Sequence, residues 1–249
     1  MRNAGAAIFA LAIGAIGVET IVFANTSLPP VHGHRVIGII PWLPAVPWLA
    51  ILFGAVLALG AAGMLARQTR RNAALFTGAL LLLADLVLDV PRGLLAPANI
   101  SVRTGVFELL ALASLAWLLA GEAPKSPIVQ FARYALAISL IVFGIDHFLA
   151  LAFIATLIAT WIPWHQFWVA AFGVAFVAAG VAIALRILER WAGFGVALMF
   201  AIWVVTLHAP RVAGLYGIAG ATQSPAEWQS LFIAVALCGG SLAFASADS

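Results

Sequence analysis

Long runs of apolar residues alternate with short polar breaks along the whole chain. A helix needs about 20 apolar residues to cross the hydrocarbon core of a bilayer, and eight runs approach that length. The predicted membrane helices cover 4–24, 47–66, 73–90, 105–121, 134–153, 167–185, 191–208 and 227–245. The breaks include two tight basic turns, Arg67–Arg71 and Arg186–Arg190. The pattern predicts an all-α polytopic membrane protein with eight transmembrane helices.

The second half of the chain repeats the first half at a shift of about 119 positions. Without a gap, the shift aligns Pro44 with Pro163, Phe53-Gly54 with Phe172-Gly173, Arg67 with Arg186, Arg71 with Arg190, Pro91-Arg92 with Pro210-Arg211, Glu108 with Glu227 and Gly121 with Gly240. A random overlay of apolar segments would not place these charged residues in register. We therefore predict two parallel four-helix repeats, at 1–123 and 134–249, joined by a cytoplasmic linker at 124–133. A pseudo-twofold axis along the membrane normal should relate them.

Composition and charge support this class. The chain is 65% hydrophobic and 8% charged, whereas a soluble domain carries roughly 25% charged residues. The first apolar run carries Glu19 and is predicted as a spanning helix rather than a signal peptide. The predicted helices place the basic residues on the two sides of the membrane in unequal numbers. One side has Arg2, Arg67, Arg70, Arg71, Lys125, Arg133, Arg186 and Arg190, and the other has Arg35, Arg92, Arg103 and Arg211. The richer side predicts a cytoplasmic (inner) membrane protein with both termini cytoplasmic. No feature indicates binding of nucleic acid.

Several ionisable residues lie within the predicted spans, where each charge costs on the order of 3 kcal/mol. The candidates for ligand binding or proton handling are Glu19, Asp85, Asp89, Asp146, His147 and His208. By their positions along the helices they all lie in the outer half of the membrane, which predicts one polar chamber, or two related ones, opening outward. Asp85 and Asp89 should share a helix face. Two neighbouring carboxylates resist ionising together, which suits proton exchange or a cation.

Two arginine–carboxylate pairs recur across the outer loops of the helical hairpins. Arg92 and Glu108 have the same sequence separation as Arg211 and Glu227, so we predict an ion pair in each repeat. A structural interpretation is that each pair fixes its hairpin in a specified geometry. In the functional alternative, the arginines orient an anionic or carbonyl group of a ligand.

The residue types leave the cofactor open. His147, His208, Asp89, Asp146 and Glu19 are suitable metal ligands, and the two histidines could face each other across a haem, but no HxxH or ExxH spacing supports a haem or metal site. The single cysteine, Cys238, excludes an intramolecular disulfide and a thiol-based quinone reductase of the vitamin K epoxide type. Tryptophans near Pro41–Trp48 and at 161–164 either anchor helices at the lipid interface or wall a ligand pocket.

The segment Gly144-Ile145-Asp146-His147-Phe148 resembles the end of the first helix in the DoxX-like (DoxD-like) membrane protein family. A Pro-containing outer segment at 162–164, glycines at Gly173 and Gly180, a basic turn and a third helix follow, as in that family. The second repeat fits better, because Thr20 replaces the histidine in the first. Each repeat thus resembles one four-helix unit, and the chain resembles a tandem duplication. Relatives in that family include a membrane subunit of a thiosulfate:quinone oxidoreductase and an animal receptor-assembly chaperone.

The sequence therefore leaves three functions open, and it does not decide whether the protein is an enzyme. In the leading hypothesis, it is a membrane subunit of a redox or respiratory assembly that binds a quinone-like or lipid ligand in the outer chamber. Alternatively, it is a scaffold or assembly protein without chemistry for a membrane or periplasmic protein complex. A transporter or intramembrane enzyme for a lipid-like substrate is the third hypothesis, and a pathway from the chamber to the cytoplasmic side would favour it.

Overall fold

The computed structural model describes residues 1–24, 46–121, 125–215 and 224–247, and these residues form helices and no strand. Within them, eight helices are long and apolar enough to cross a membrane: α1 (Arg2–Phe23), α2 (Pro47–Leu65), α3 (Arg70–Leu95), α4 (Ile100–Leu119), α5 (Pro127–Leu149), α7 (His165–Leu185), α8 (Glu189–Val212) and α9 (Pro225–Ala245). A short helix, α6 (Leu151–Ala155), follows α5. The all-α polytopic fold is as predicted, and the protein is an integral membrane protein.

The helix starts carry recognisable capping residues. Asn99 caps α4 by accepting a hydrogen bond from the backbone N–H of Val102 at 3.2 Å, and Ser126 caps α5 in the same way. Pro127 then occupies the first turn, where its missing N–H costs nothing. Because of this cap, α5 begins inside the segment 124–133 that was predicted as a linker.

Both α3 and α8 contain a π-helical turn at the same point of the repeat. The turns cover Asp85–Asp89 and Val204–His208. In each, the next backbone N–H bonds the carbonyl five residues earlier, as from Val90 to Asp85. A proline follows each turn by two residues, and its ring would clash with a regular helical carbonyl four residues back. The wider turn lets each helix continue, so α3 and α8 extend past their predicted ends at 90 and 208.

The eight long helices form a closed ring in chain order, with α9 packed against α1. Across the ring, α4 also packs against α9. This contact divides the ring into a first compartment, walled by α9, α1, α2, α3 and α4, and a second compartment, walled by α4, α5, α7, α8 and α9. Every interface in the first half has a counterpart in the second half, as expected for a duplicated unit. The pseudo-twofold axis itself stays a prediction.

Glycines bring neighbouring helices into backbone contact at matching places. A Cβ on Gly17 of α1 would lie 2.6 Å from the carbonyl oxygen of Gly54 in α2, and a Cβ on Gly144 of α5 would lie 2.6 Å from that of Gly173 in α7. Only glycine allows this approach. Large buried side chains such as Phe9 and Leu112 fill the core, while the outer faces expose apolar residues such as Leu59. That exterior suits lipid contact.

Candidate functional site

A cavity of about 610 Å³ opens in the second compartment, at the end of the bundle away from the two basic turns. We name it the outer cavity, because the basic residues predict that this end faces outward. Its volume lies within the range of small-molecule sites. Its wall is mainly aromatic and aliphatic, and its polar lining residues are Ser101, Thr104, Glu108, Asp146, His147, His208 and Ser230.

His147, near the end of α5, has one ring nitrogen bound and one open. Its Nδ1 lies 2.7 Å from the backbone carbonyl oxygen of Phe143, while its buried Nε2 has no hydrogen-bond partner in the part of the chain that the structure describes. The imidazole packs against the rings of Phe176 and Trp203, at centroid distances of 5.3 and 5.5 Å. The aromatic contacts and the backbone contact therefore hold the ring in place with Nε2 uncommitted.

The neighbouring Asp146 is fully engaged by α4. Arg103 donates from Nε to Oδ1 at 2.9 Å and makes a second contact with the same oxygen through Nη2. The hydroxyl of Thr104 donates to Oδ2 at 2.9 Å. Sequence reasoning assigned Arg103 to the outer side as a topology residue and missed this pairing. Asp146, predicted as a ligand-binding or proton-handling residue, is held here as a clamp between α4 and α5.

His208 closes the π-helical turn of α8 and contributes a second uncommitted imidazole nitrogen. Its buried Nδ1 has no hydrogen-bond partner among the described residues, and its ring centroid lies 6.3 Å from that of Trp203. The π turn between these two residues brings positions five apart onto one side of the helix. Trp203 therefore contacts both histidines of the outer cavity.

The second-half ion pair predicted from the sequence is present. Arg211 donates from Nε to Oε2 of Glu227 at 2.8 Å, and its Nη2 contacts Oε1, so α8 is tied to α9 through a two-point pair. Such fork-like geometry fixes orientation as well as charge.

The first half differs from the predicted Arg92–Glu108 bridge. Arg92 pairs with Asp89, one turn earlier on the same helix, at 2.9 Å. The reason lies in the repeat: His208 occupies the position of Asp89 in the second half and offers Arg211 no carboxylate, so that arginine reaches across to α9. Glu108, in contrast, lines the outer cavity.

Three of the six predicted ligand-binding or proton-handling residues, Glu19, Asp85 and Asp89, lie outside the lining of the outer cavity. Glu19 of α1 is buried, and within the described ranges neither of its carboxyl oxygens has a hydrogen-bond partner. Asp85 of α3 is buried, and no described residue forms a hydrogen bond with its Oδ1. The structure thus brings Glu108, Asp146 and the two histidines to one cavity, whereas Glu19, Asp85 and the Arg92-paired Asp89 do not line it. Across the part of the chain that the structure describes, no three side chains of the metal-ligating types His, Cys, Asp and Glu come together.

The aromatic wall was also missed from the sequence. Phe176, Phe200 and Trp203 come from α7 and α8 and enclose the histidines. A spacing of three between Phe200 and Trp203 signals a shared helix face, but it does not say which compartment that face lines. Of the tryptophans considered earlier, Trp161 and Trp164 are exposed, as suits interface anchors. Most of the first outer loop, including His32 and His34, lies outside the described residues.

Comparison with known proteins finds no family model, no curated protein and no solved structure that matches this chain. The class of protein therefore follows from its own fold and site. It is a multi-pass helical membrane protein with a mainly apolar cavity near one end, into which a few polar groups converge.

Proposed function

We propose that this protein binds a small amphipathic ligand of the quinone type in the outer cavity, as the membrane subunit of a redox assembly. The observation that carries the proposal is that His147 and His208 line one aromatic-walled cavity, and each has a buried ring nitrogen without a hydrogen-bond partner among the described residues. Buried polar atoms without partners are uncommon in proteins. A ligand that hydrogen-bonds both nitrogens would remove that cost.

The shape of the surrounding space suits a ring with an apolar tail. Trp203 and Phe176 offer flat faces for a ring near the histidines. A second, almost entirely apolar pocket of about 280 Å³ shares Trp203 and Ile154 with the outer cavity. A ligand with its polar ring in the outer cavity and its tail in this apolar pocket would match both surfaces.

The resemblance to the DoxX-like family supports the same proposal. The element that carries the resemblance, Gly144–Phe148, supplies Asp146 and His147 to the cavity. We propose that the chain is a tandem duplication of that four-helix unit in the cytoplasmic membrane, with both termini cytoplasmic and a membrane or periplasmic protein complex as its partner.

The proposal is tested on the full chain purified in mild detergent. We expect a short-chain benzoquinone or benzoquinol to bind, as measured by calorimetric titration. We also expect the purified protein to carry one quinone per chain, after subtraction of the quinone that accompanies bulk lipid. The double substitution His147→Ala and His208→Ala should weaken binding by at least about tenfold, because each lost hydrogen bond contributes about 1 kcal/mol. His165→Ala, outside the outer cavity, is the matched control and should bind like the wild type. A wild-type protein that binds neither probe would refute the proposal.

A non-catalytic scaffold is a second candidate, favoured by the ion pairs. Arg103–Asp146 and Arg211–Glu227 tie helices together, and each carboxyl oxygen of the two acids already accepts a hydrogen bond from a neighbouring helix. If the protein only organises a partner complex, the same double histidine variant should leave that complex intact and active. Copurification of the complex with each variant, followed by an assay of its activity, separates the two functions.

The third hypothesis, transport, gains no support from the packing below the outer cavity. One or two turns inward, the wall consists of fully buried apolar side chains such as Leu112, Leu140, Ile183 and Val196. A binding site with one opening therefore fits the geometry better than a passage.

A further inference from the structure

Some of the hydrogen-bonding groups on the wall of the outer cavity already have a partner within the protein, and others do not. The hydroxyl of Thr104 already donates to Asp146, and that of Ser230 donates to the backbone carbonyl of Ala226 at 2.8 Å. Ser101 lies exposed at the mouth. The buried nitrogens of His147 and His208 are left over, and Glu108 adds carboxyl oxygens to the same wall. The hydroxyl groups that could donate a hydrogen bond to a ligand carbonyl inside the cavity thus mostly donate to the protein already.

The backbone contact of His147 determines what its open nitrogen can do. A carbonyl oxygen only accepts hydrogen bonds, so Nδ1 of His147 must be the donor to Phe143. In the neutral imidazole the proton then sits on Nδ1, and Nε2 presents a lone pair. A ligand group that meets Nε2 must supply the hydrogen.

We infer that the ligand of the outer cavity presents a hydroxyl group, not a carbonyl oxygen, to Nε2 of His147. This inference rests on the proposed function and narrows it to hydroxyl-bearing ligands, such as the reduced, quinol form of a quinone. A carbonyl placed there would set two acceptors face to face, and both would be desolvated without a hydrogen between them. That repulsive arrangement is a source of specificity.

The experiment compares three probes with the same ring and short tail: a benzoquinol, the matching benzoquinone and the dimethyl ether of the quinol. Binding to the full-length wild type is measured by calorimetric titration without oxygen. We expect the quinol to bind about tenfold more tightly than either of the other probes, the effect of about one hydrogen bond lost to an unpaired acceptor.

Two substitutions locate the preference. His147→Phe keeps an aromatic ring but removes Nε2, so quinol and quinone should then bind within about twofold of each other. His165→Phe makes the same change at a histidine that does not line the outer cavity, so the preference for the quinol should persist in that variant.

The outcomes separate this inference from the proposed function. If the quinone binds as tightly as the quinol, or more tightly, the inference is wrong while the proposed function stands. If none of the probes binds, both fail. A stoichiometric metal ion in the purified wild type that is lost in His147→Phe would also overturn the inference, because the metal would then occupy the lone pair of Nε2.

Discussion

Asp146 and His147 are adjacent in sequence, yet hydrogen bonds engage both carboxyl oxygens of Asp146 and only one ring nitrogen of His147. Both oxygens of Asp146 accept hydrogen bonds from α4, whereas none of the residues that the structure describes forms a hydrogen bond with Nε2 of His147. Binding sites are commonly built in this way: a residue whose hydrogen bonds are already formed within the protein holds the neighbouring binding group in position. Asp146 fixes the end of α5 against α4, and His147 is thereby held at the cavity wall.

The Arg103–Asp146 pair should contribute much more to stability than a surface ion pair. Arg103→Ala leaves the nearly buried Asp146 without its main partner, and breaking such a pair costs roughly 3–5 kcal/mol. We expect a loss of that size in the free energy of unfolding, measured by denaturant titration in mixed micelles.

The chain offers a matched control for this loss. Arg186→Ala removes an exposed partner of Glu189, and exposed pairs contribute about 0–1 kcal/mol. Adding Asp146→Asn to Arg103→Ala should recover part of the loss, because the unpaired charge is removed. Equal losses for the two arginine variants would contradict the clamp.

At the scale of helices, α3 and α8 show how the repeat keeps a backbone feature and changes its chemistry. Both have a π-helical turn followed by a proline and an arginine. The first turn carries Asp85 and Asp89, and the second carries Val204 and His208. In both halves the proline requires the wider turn, because it would clash with a regular helical carbonyl, whereas the side chains within the turn differ between the repeats. Such turns are frequent at functional sites, and here the second one delivers His208 to the outer cavity.

The contact of α5 with α7 is the element-scale feature on which His147 depends most directly. A Cβ on Gly144 would lie within 2.6 Å of the Gly173 carbonyl, so Gly144→Ala must push the helices apart. We expect a loss of about 1–3 kcal/mol in the free energy of unfolding and weaker probe binding, because His147 lies one turn later. Denaturant titration and calorimetric titration measure the two effects.

A glycine without close neighbours provides the control. A Cβ on Gly195 of α8 would meet no atom of the other described residues within 4 Å, apart from its chain neighbours and its own helix backbone. Gly195→Ala should therefore leave stability unchanged or raise it by up to about 1 kcal/mol through helix propensity. If both alanine variants behave alike, close packing at Gly144 does not position the site.

The same elements show what the sequence could and could not predict. Apolar runs near the length of a bilayer predicted all eight helices, since no other backbone structure satisfies itself in such runs. The ends were less accurate, because the π turns carry α3 and α8 through prolines that normally end a helix. The pairing of Arg103 with Asp146 was out of reach, because it joins helices from different repeats. Arg211–Glu227 was predictable because both residues belong to one hairpin.

For the whole molecule, the closed ring shows that the two duplicated halves pack against each other along several helices and are not separate bundles. The sequence alone suggests two four-helix units joined by a linker. In the structure, α1 packs most extensively against α9, and α4 packs against both α5 and α9. Each compartment is therefore walled by helices from both repeats, and neither repeat encloses a compartment alone. The outer cavity accordingly draws Glu108 from the first repeat and both histidines from the second.

This interlocking predicts that the two halves stay together when the chain between them is cut. A protease site inserted at 122–124 in the full chain should allow cleavage of the folded protein into two fragments. Because burial of three inter-repeat interfaces does not depend on the linker, the fragments should elute together from a sizing column in mild detergent and separate only in a denaturing detergent. The cleaved protein should also retain probe binding, since the helices around the outer cavity remain in place. Two bundles that merely share a linker would instead separate in mild detergent, and that result would exclude the closed ring.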